Sequence, residues 1–107
     1  MARVAALVPD LLFGSRVQAM LREAGHDVQL VSQAGDVGGH VDVLVVDLTD
    51  QVDERIAAVQ GLGARKLAFY SHVEADVRER ALAAGFDAVV PRSRMAREGG
   101  ELVSRLA

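Results

Sequence analysis

The segment Val43-Leu44-Val45-Val46-Asp47 is a continuous apolar run that stops at an acid. Three other short apolar stretches of the chain stop in a similar way, at Asp10, Ser71 and Arg92. Apolar runs of this length, rich in valine, are typical of strands that are buried on both faces of a parallel sheet. Functional groups in open parallel sheets gather at the carboxyl ends of the strands. The sequence therefore predicts that two acids, a hydroxyl and a cation meet at one edge of a sheet.

The composition favours a single globular domain that spans residues 1–107. Half of the residues are hydrophobic, so one core can be buried without metals or disulfides, and the absence of cysteine excludes thiol chemistry. The net charge of -3 and the scarcity of aromatic residues argue against nucleic acid as a partner. The chain start does not resemble a signal peptide, and no apolar run reaches the roughly 18 residues that would indicate a membrane span. We therefore expect a cytoplasmic protein without a membrane partner.

Strand and helix signals alternate along the chain, which predicts an α/β domain with parallel strands. The strands are predicted at residues 3–8, 27–31, 41–46, 66–70 and 86–90, and the main helices at residues 13–24, 51–60 and 74–84. Asp50 is the expected N-cap of the second of these helices. A last helix is predicted to be short, because Gly99-Gly100 would be unfavourable inside a helix. His26 follows a helix-ending glycine and is expected to be a solvated turn residue.

The connection between the second and third strands is unusually short and rich in glycine. Residues 33–40 contain Gly35, Gly38 and Gly39 and no helical pattern. A crossover between parallel strands usually needs about a dozen residues and contains a helix. We therefore expect the second helix of the fold to be shortened or absent, which would leave part of one sheet face thinly covered.

The order of the elements and the residues at the strand ends resemble the receiver domain of bacterial response regulators. The resemblance covers the whole chain and includes the tail Gly85-Phe86-Asp87-Ala88-Val89-Val90-Pro91-Arg92-Ser93, which is similar to the family's stretch ending in Lys-Pro. It implies a flavodoxin-like, open five-stranded parallel sheet of order 2-1-3-4-5 with helices on both faces.

The resemblance also implies roles for the residues at the strand ends. Asp47 would be the phosphoacceptor, Asp10 and Asp47 would hold Mg²⁺, Ser71 would be the switch hydroxyl, and Arg92 would contact the phosphate or the acid. An aspartate can attack phosphorus while a metal neutralises the transferring group. Mg²⁺ is typically held by one or two carboxylates together with waters and substrate oxygens. A direct pairing of Arg92 with Asp47 stays open. Two purely structural roles stay open too: Asp10 would cap the first helix, and Asp47 would be a strand-end acid that caps the following loop.

Four residues depart from the family pattern. Pro9 replaces an acid, Arg92 replaces the lysine, Ser93 replaces a proline, and His72 replaces a small residue beside the switch hydroxyl, where it would gate the pocket. These departures predict a degenerate receiver, or pseudo-receiver. It would be a stand-alone two-component signalling module that acts through protein–protein contact, with reduced or absent phosphotransfer. We expect no enzymatic activity beyond self-phosphorylation and no required cofactor, with Mg²⁺ as the one ion that the resemblance admits.

Two alternatives remain. The chain would be an active Mg²⁺-dependent phosphoacceptor that uses Asp47, or a dimeric structural module that packs its thinly covered sheet face against a second copy. The expected partners are a histidine kinase, a downstream effector or a second copy. In receivers the contact surface is usually the face of the fourth helix, fifth strand and fifth helix. Here that surface corresponds to residues 73–84 together with Arg92, Arg94 and Arg97.

Overall fold

The computed structural model describes residues 1–71 and 74–107. The predicted gate His72, and Val73 of the predicted contact surface, lie outside the described residues. Five strands alternate with helices: β1 (Arg3–Leu7), α1 (Leu11–Glu23), β2 (Asp27–Val31), β3 (Val43–Asp47), α2 (Val52–Val59), β4 (Arg65–Tyr70), α3 (Ala75–Ala83), β5 (Ala88–Pro91) and α4 (Arg92–Leu106). None of the described helices is both long enough and apolar enough to cross a bilayer.

The strands form one sheet in the order β2-β1-β3-β4-β5, and all four neighbouring pairs are parallel. The predicted sheet is therefore confirmed. Leu7 of β1 is level with Val46 of β3, and Asp47 is level with Phe69 of β4. This register brings the residues after β1, β3 and β4 to the same edge of the sheet.

The central strand β3 is buried along its whole length. Val43 and Val45 belong to the core on the side of α1 and α4, whereas Leu44 and Val46 belong to the core on the side of α2 and α3. Successive residues of a strand point to opposite faces, so a strand between two cores must be apolar at every position. This two-sided burial explains why the segment contains no polar residue before Asp47.

The last helix is longer than predicted, and the prediction that Gly99-Gly100 lies outside it is wrong. Both glycines are buried within α4 where it packs on α1. A Cβ atom at Gly99 would overlap the Met20 Cε methyl, and one at Gly100 would lie 3.0 Å from Ala24 Cβ. The glycines thus allow close helix packing, which offsets their helix-propensity cost of about 1 kcal/mol each.

His26 is buried rather than solvated, so its predicted exposure is also wrong. The backbone N–H of Ala2 donates to His26 Nδ1 at 3.0 Å. The proton of the neutral ring is therefore on Nε2, which lies 3.0 Å from the Ser104 hydroxyl; that hydroxyl donates in turn to the Gly100 carbonyl at 2.9 Å. The ring joins the start of β1 to α4, and this tertiary contact could not be read from the turn signal at Gly25.

The connection between β2 and β3 contains only a single 3₁₀ turn, Ala34–Asp36, as its length predicts. The Gln29 side chain binds the backbone of Gly38 twice, donating to its carbonyl at 2.9 Å and accepting from its N–H at 3.1 Å. Val37 and Val41 pack against the core from this connection. The sheet face is therefore partly covered, and a hollow of about 280 Å³ remains beside Val37 and Leu62.

Gly14 provides a test of the packing between α1 and the sheet. A Cβ atom there would lie 2.9 Å from the carbonyl oxygen of Val8 and 3.2 Å from a methyl of Leu30. We expect Gly14→Ala to lower the free energy of unfolding by about 1–2 kcal/mol, because the overpacking outweighs the gain in helix propensity. Urea unfolding would measure this change. Gly61→Ala is the control, since a Cβ there meets nothing within 4 Å; equal stabilities of the two variants would contradict the expectation.

Asp42 provides a test of pH dependence at the amino-terminal edge of the sheet. Its carboxylate accepts the backbone N–H of Arg3 at 2.8 Å and lies 2.9 Å from His40 Nε2. These hydrogen bonds, the backbone one first, hold the pKa of Asp42 below its ordinary value. A lowered pKa contributes stability that is present above the unfolded-state value of about 3.9 and is lost as the pH falls through the folded-state value.

Asp42→Asn should therefore destabilise the protein at neutral pH, and the difference from the wild type should shrink as the pH falls below about 4. Unfolding at a series of pH values would measure this, with the exposed Asp36→Asn as the control for loss of one acid. A difference that does not change with pH would contradict the role assigned to the Asp42 carboxylate.

Candidate functional site

A cavity of about 710 Å³ opens at the carboxyl edge of the sheet. All four residues predicted for this edge line it: Asp10, Asp47, Ser71 and Arg92. Asp10 follows β1, Asp47 ends β3, Ser71 follows β4, and Arg92 follows β5. The parallel sheet thus assembles residues that are up to 82 positions apart in the chain.

Asp47 is buried at the carboxyl end of β3, with 6% of the residue exposed. Its Oδ1 atom accepts two hydrogen bonds from Thr49, one from the backbone N–H at 2.8 Å and one from the hydroxyl at 2.5 Å. The carboxylate thus caps the turn that follows β3, which is one of the two roles left open by the sequence. Oδ2 accepts no hydrogen bond from a described residue.

Arg55 of α2 is the cation beside Asp47. Its Nη1 atom lies 3.8 Å from Asp47 Oδ1 and donates to the Asp47 carbonyl oxygen at 2.8 Å. Both side chains are largely buried, with 13% of the arginine and 8% of the aspartate exposed. A guanidinium at this distance attracts the carboxylate, and the attraction is stronger than it would be in water because both groups are largely buried.

Arg55 is not among the predicted site residues, although the sequence carries a signal for it. Val52, Ile56 and Val59 form the inward face of α2. Arg55 follows Val52 by three positions and precedes Val59 by four, so it lies on that same face. A charged residue on the apolar face of the helix that follows a buried aspartate is the pattern that would have identified this pair.

The turn between β3 and α2 has a strained backbone residue. Gln51 has φ 48° and ψ 46°, and it is the one described residue other than glycine with a positive φ. A left-handed conformation at such a residue costs on the order of 1–3 kcal/mol. Gln51, rather than the predicted Asp50, is the N-cap of α2. Its carbonyl accepts the backbone N–H of Arg55 at 3.0 Å, which is an ordinary hydrogen bond of the first helical turn.

Asp10 acts as the N-cap of α1, the alternative role left open by the sequence. Its Oδ1 accepts the backbone N–H groups of Leu12 at 3.0 Å and Phe13 at 3.1 Å. The residue is exposed at the rim of the cavity. These bonds satisfy two of the donors that every helix leaves unpaired at its start.

Arg92 does not pair with Asp47. Its guanidinium carbon lies 4.0 Å from the centroid of the Phe13 ring, and that ring packs edge-on against Phe69 with centroids 5.1 Å apart. A cation above an aromatic face is worth about 0.5–1 kcal/mol at an exposed site. The cation beside Asp47 is therefore Arg55 and not Arg92, which settles the pairing that the sequence left open.

The described residues fit Mg²⁺ poorly. Pro9 offers no side-chain oxygen, one oxygen of Asp10 is bound to backbone N–H groups, and a guanidinium lies beside Asp47. Mg²⁺ needs near-ideal octahedral coordination by oxygen. The cation already beside Asp47 opposes a second one at the same place.

No protein-family model and no curated protein matches the sequence. Solved structures do match it in fold. A response regulator from Thermotoga maritima superposes with a TM-score of 0.82 at 13% identity, covering 99% of this chain and 97% of that one. The receiver domain of a Francisella response regulator gives 0.84 at 14% identity, with coverages of 99% and 96%. A chemotaxis response regulator of Vibrio cholerae gives 0.81 at 17% identity, with coverages of 100% and 99%.

These similarities confirm the predicted receiver fold. They extend over nearly the whole of each chain. At identities below a fifth they show the shared fold alone.

A double-mutant cycle would test the buried pair of Asp47 and Arg55. We expect Arg55→Gln to destabilise the protein by about 1–3 kcal/mol, because it leaves a buried carboxylate without its cation. The same change in an Asp47→Asn background should cost less, which gives a coupling energy of about 0.5–3 kcal/mol. Denaturant unfolding of the four proteins would measure it. Additive effects of the two substitutions would contradict the ion pair.

Proposed function

We propose that this protein is a receiver-like signalling module of a two-component system that acts through protein–protein contact in the cytoplasm. In this proposal, phosphotransfer to Asp47 is reduced or absent, and no cofactor is needed. The partner would be a histidine kinase or a downstream effector protein. The proposal makes the protein a binding module rather than an enzyme.

The Arg55 guanidinium beside Asp47 is the observation that carries this proposal. In phosphoryl transfer the nucleophile must approach phosphorus, and metal ions neutralise the developing charge. Here the charge of Asp47 is already matched by a fixed cation, and the Oδ1 atom is bound by Thr49. A carboxylate held in this way is less available as a nucleophile toward phosphorus, because it already has a cation and two hydrogen-bond donors.

Exposed apolar side chains support contact with a protein. Leu11 and Leu12 at the start of α1 are 79% and 82% exposed, and they directly follow Asp10 at the rim of the cavity. Leu82 is partly exposed on α3, within the surface predicted for partner contact. On that surface, however, Glu98 neutralises part of the basic cluster, because it pairs with both Arg94 and Arg97.

A second candidate function is an active phosphoacceptor that uses Asp47. One observation favours it: the Asp47 side chain shares its cavity with the Ser71 hydroxyl and the Arg92 guanidinium. A phosphoryl group on the unbound Oδ2 atom would have a hydroxyl and a cation within the same space. In that case Arg55 would supply charge that a metal supplies elsewhere.

Intact-mass spectrometry after incubation with acetyl phosphate and Mg²⁺ would separate the two candidates. We expect little or no phosphoryl adduct on the wild-type protein under conditions that fully modify an active receiver domain. Asp47→Asn is the matched control, because it removes the nucleophile while keeping the shape of the side chain. An adduct that forms as completely as on the active receiver domain and disappears in this control would contradict the proposal and establish the second candidate.

Arg55→Gln provides a further arm of the same experiment. If the guanidinium is what suppresses transfer, this variant should gain some Asp47-dependent adduct when circular dichroism shows that it remains folded. A wild-type protein that is modified more than Arg55→Gln would instead show that the guanidinium assists the reaction.

A further inference from the structure

A second cavity of about 340 Å³ adjoins the Asp47 cavity, between α1, the end of β4 and the start of α4. The two cavities share Ser71 and Arg92, whereas Arg16 lines only the second of them. Arg16, Ser71, Arg92 and Ser93 are the polar residues that line it beside Phe13 and Tyr70, and no acid is among its described lining residues. Its volume is within the range of about 300–1,000 Å³ that is usual for small-molecule sites.

The two arginines of this cavity differ from most others in the protein. Within residues 1–71 and 74–107, neither Arg16 nor Arg92 has a carboxylate within 4 Å, whereas nearby Arg94 and Arg97 both pair with Glu98. The whole chain has a net charge of -3. A positive cavity on a negative protein attracts anions locally, and its low-dielectric walls strengthen that field.

The donors of the cavity suit a phosphate group better than a carboxylate. A phosphate monoester offers three acceptor oxygens and a charge between about -1.5 and -2 at neutral pH. Two guanidinium groups can bind such an anion through paired hydrogen bonds, and the hydroxyls of Ser71 and Ser93 can each add one. The backbone N–H groups at the start of α4 add to the field, since Pro91 provides no side-chain cap.

We propose that this cavity, defined by Arg16, Ser71, Arg92 and Ser93, binds a small phosphorylated molecule without covalent transfer. The inference goes beyond the proposed signalling function, because it gives the module a diffusible ligand that would be read at the edge of the sheet. It does not require Asp47 to react. The Arg92 side chain would bind the ligand either from its place over the Phe13 ring or after moving away from that ring. Arg16 would bind the ligand from the opposite side of the cavity.

An NMR titration of the ¹⁵N-labelled protein would test this proposal, with inorganic phosphate and phenyl phosphate as probes. Acetate at matched ionic strength is the carboxylate probe. We expect saturable shifts of the Ser71 and Ser93 amides with both phosphate probes, and weaker binding of acetate. Arg16→Gln should weaken phosphate binding by about tenfold or more, as expected for loss of a charged hydrogen bond.

One further variant makes the outcome decisive. Arg22→Gln removes the same charge from the exposed side of α1 and should bind phosphate as the wild type does. Shifts that do not saturate, or equal losses in Arg16→Gln and Arg22→Gln, would overturn the proposal. Undiminished binding in Arg16→Gln would overturn it too, by locating the anion in the neighbouring cavity, which Arg16 does not line.

Discussion

The arrangement at the carboxyl edge depends on one electrostatic constraint, the burial of the Asp47 carboxylate at the end of a strand that is apolar on both faces. A charge removed from water needs a partner, and the partner here is the guanidinium of Arg55. That requirement explains why a cation lies on the inward face of α2.

The same constraint separates Arg92 from Asp47, the acid with which a pairing was left open by the sequence. With Arg55 beside Asp47, the arginine after β5 lies over Phe13. Together with Arg16 it makes the neighbouring cavity positive. The edge of the sheet therefore has two regions of different character: a neutralised acid over β3 and an uncompensated basic cavity between α1 and α4.

Much of the fold could be predicted from the sequence, because burial on both faces of a parallel sheet leaves a direct signature in the valine-rich runs. The strand order, the edge on which the polar residues meet and the loss of the second helix follow from those runs and from the short glycine-rich connection.

The errors came from tertiary packing. Gly99 and Gly100 are unfavourable for an isolated helix, and only the neighbouring α1 makes them suitable. His26 follows a turn signal, but its partners Ala2 and Ser104 are distant in sequence. The sequence predicted that Asp10, Asp47, Ser71 and Arg92 meet at one edge, but it identified neither Arg55 nor the contacts of each residue, since proximity to an edge does not specify which cation reaches which acid.

The glycine pair in α4 has a consequence for the chemistry at the sheet edge. Gly99 and Gly100 set how closely α4 approaches α1, and these two helices carry the opposing walls of the basic cavity. Arg92 begins α4 about two helical turns before Gly99. The side-chain volume at the crossing of α1 and α4 therefore governs the width of the cavity. That width sets the size of the anion that Arg16 and Arg92 can bind at the same time, although the ligand would not contact the crossing itself. Ligand selectivity in this protein would then be open to change through substitutions in its hydrophobic interior, with every polar group at the cavity retained.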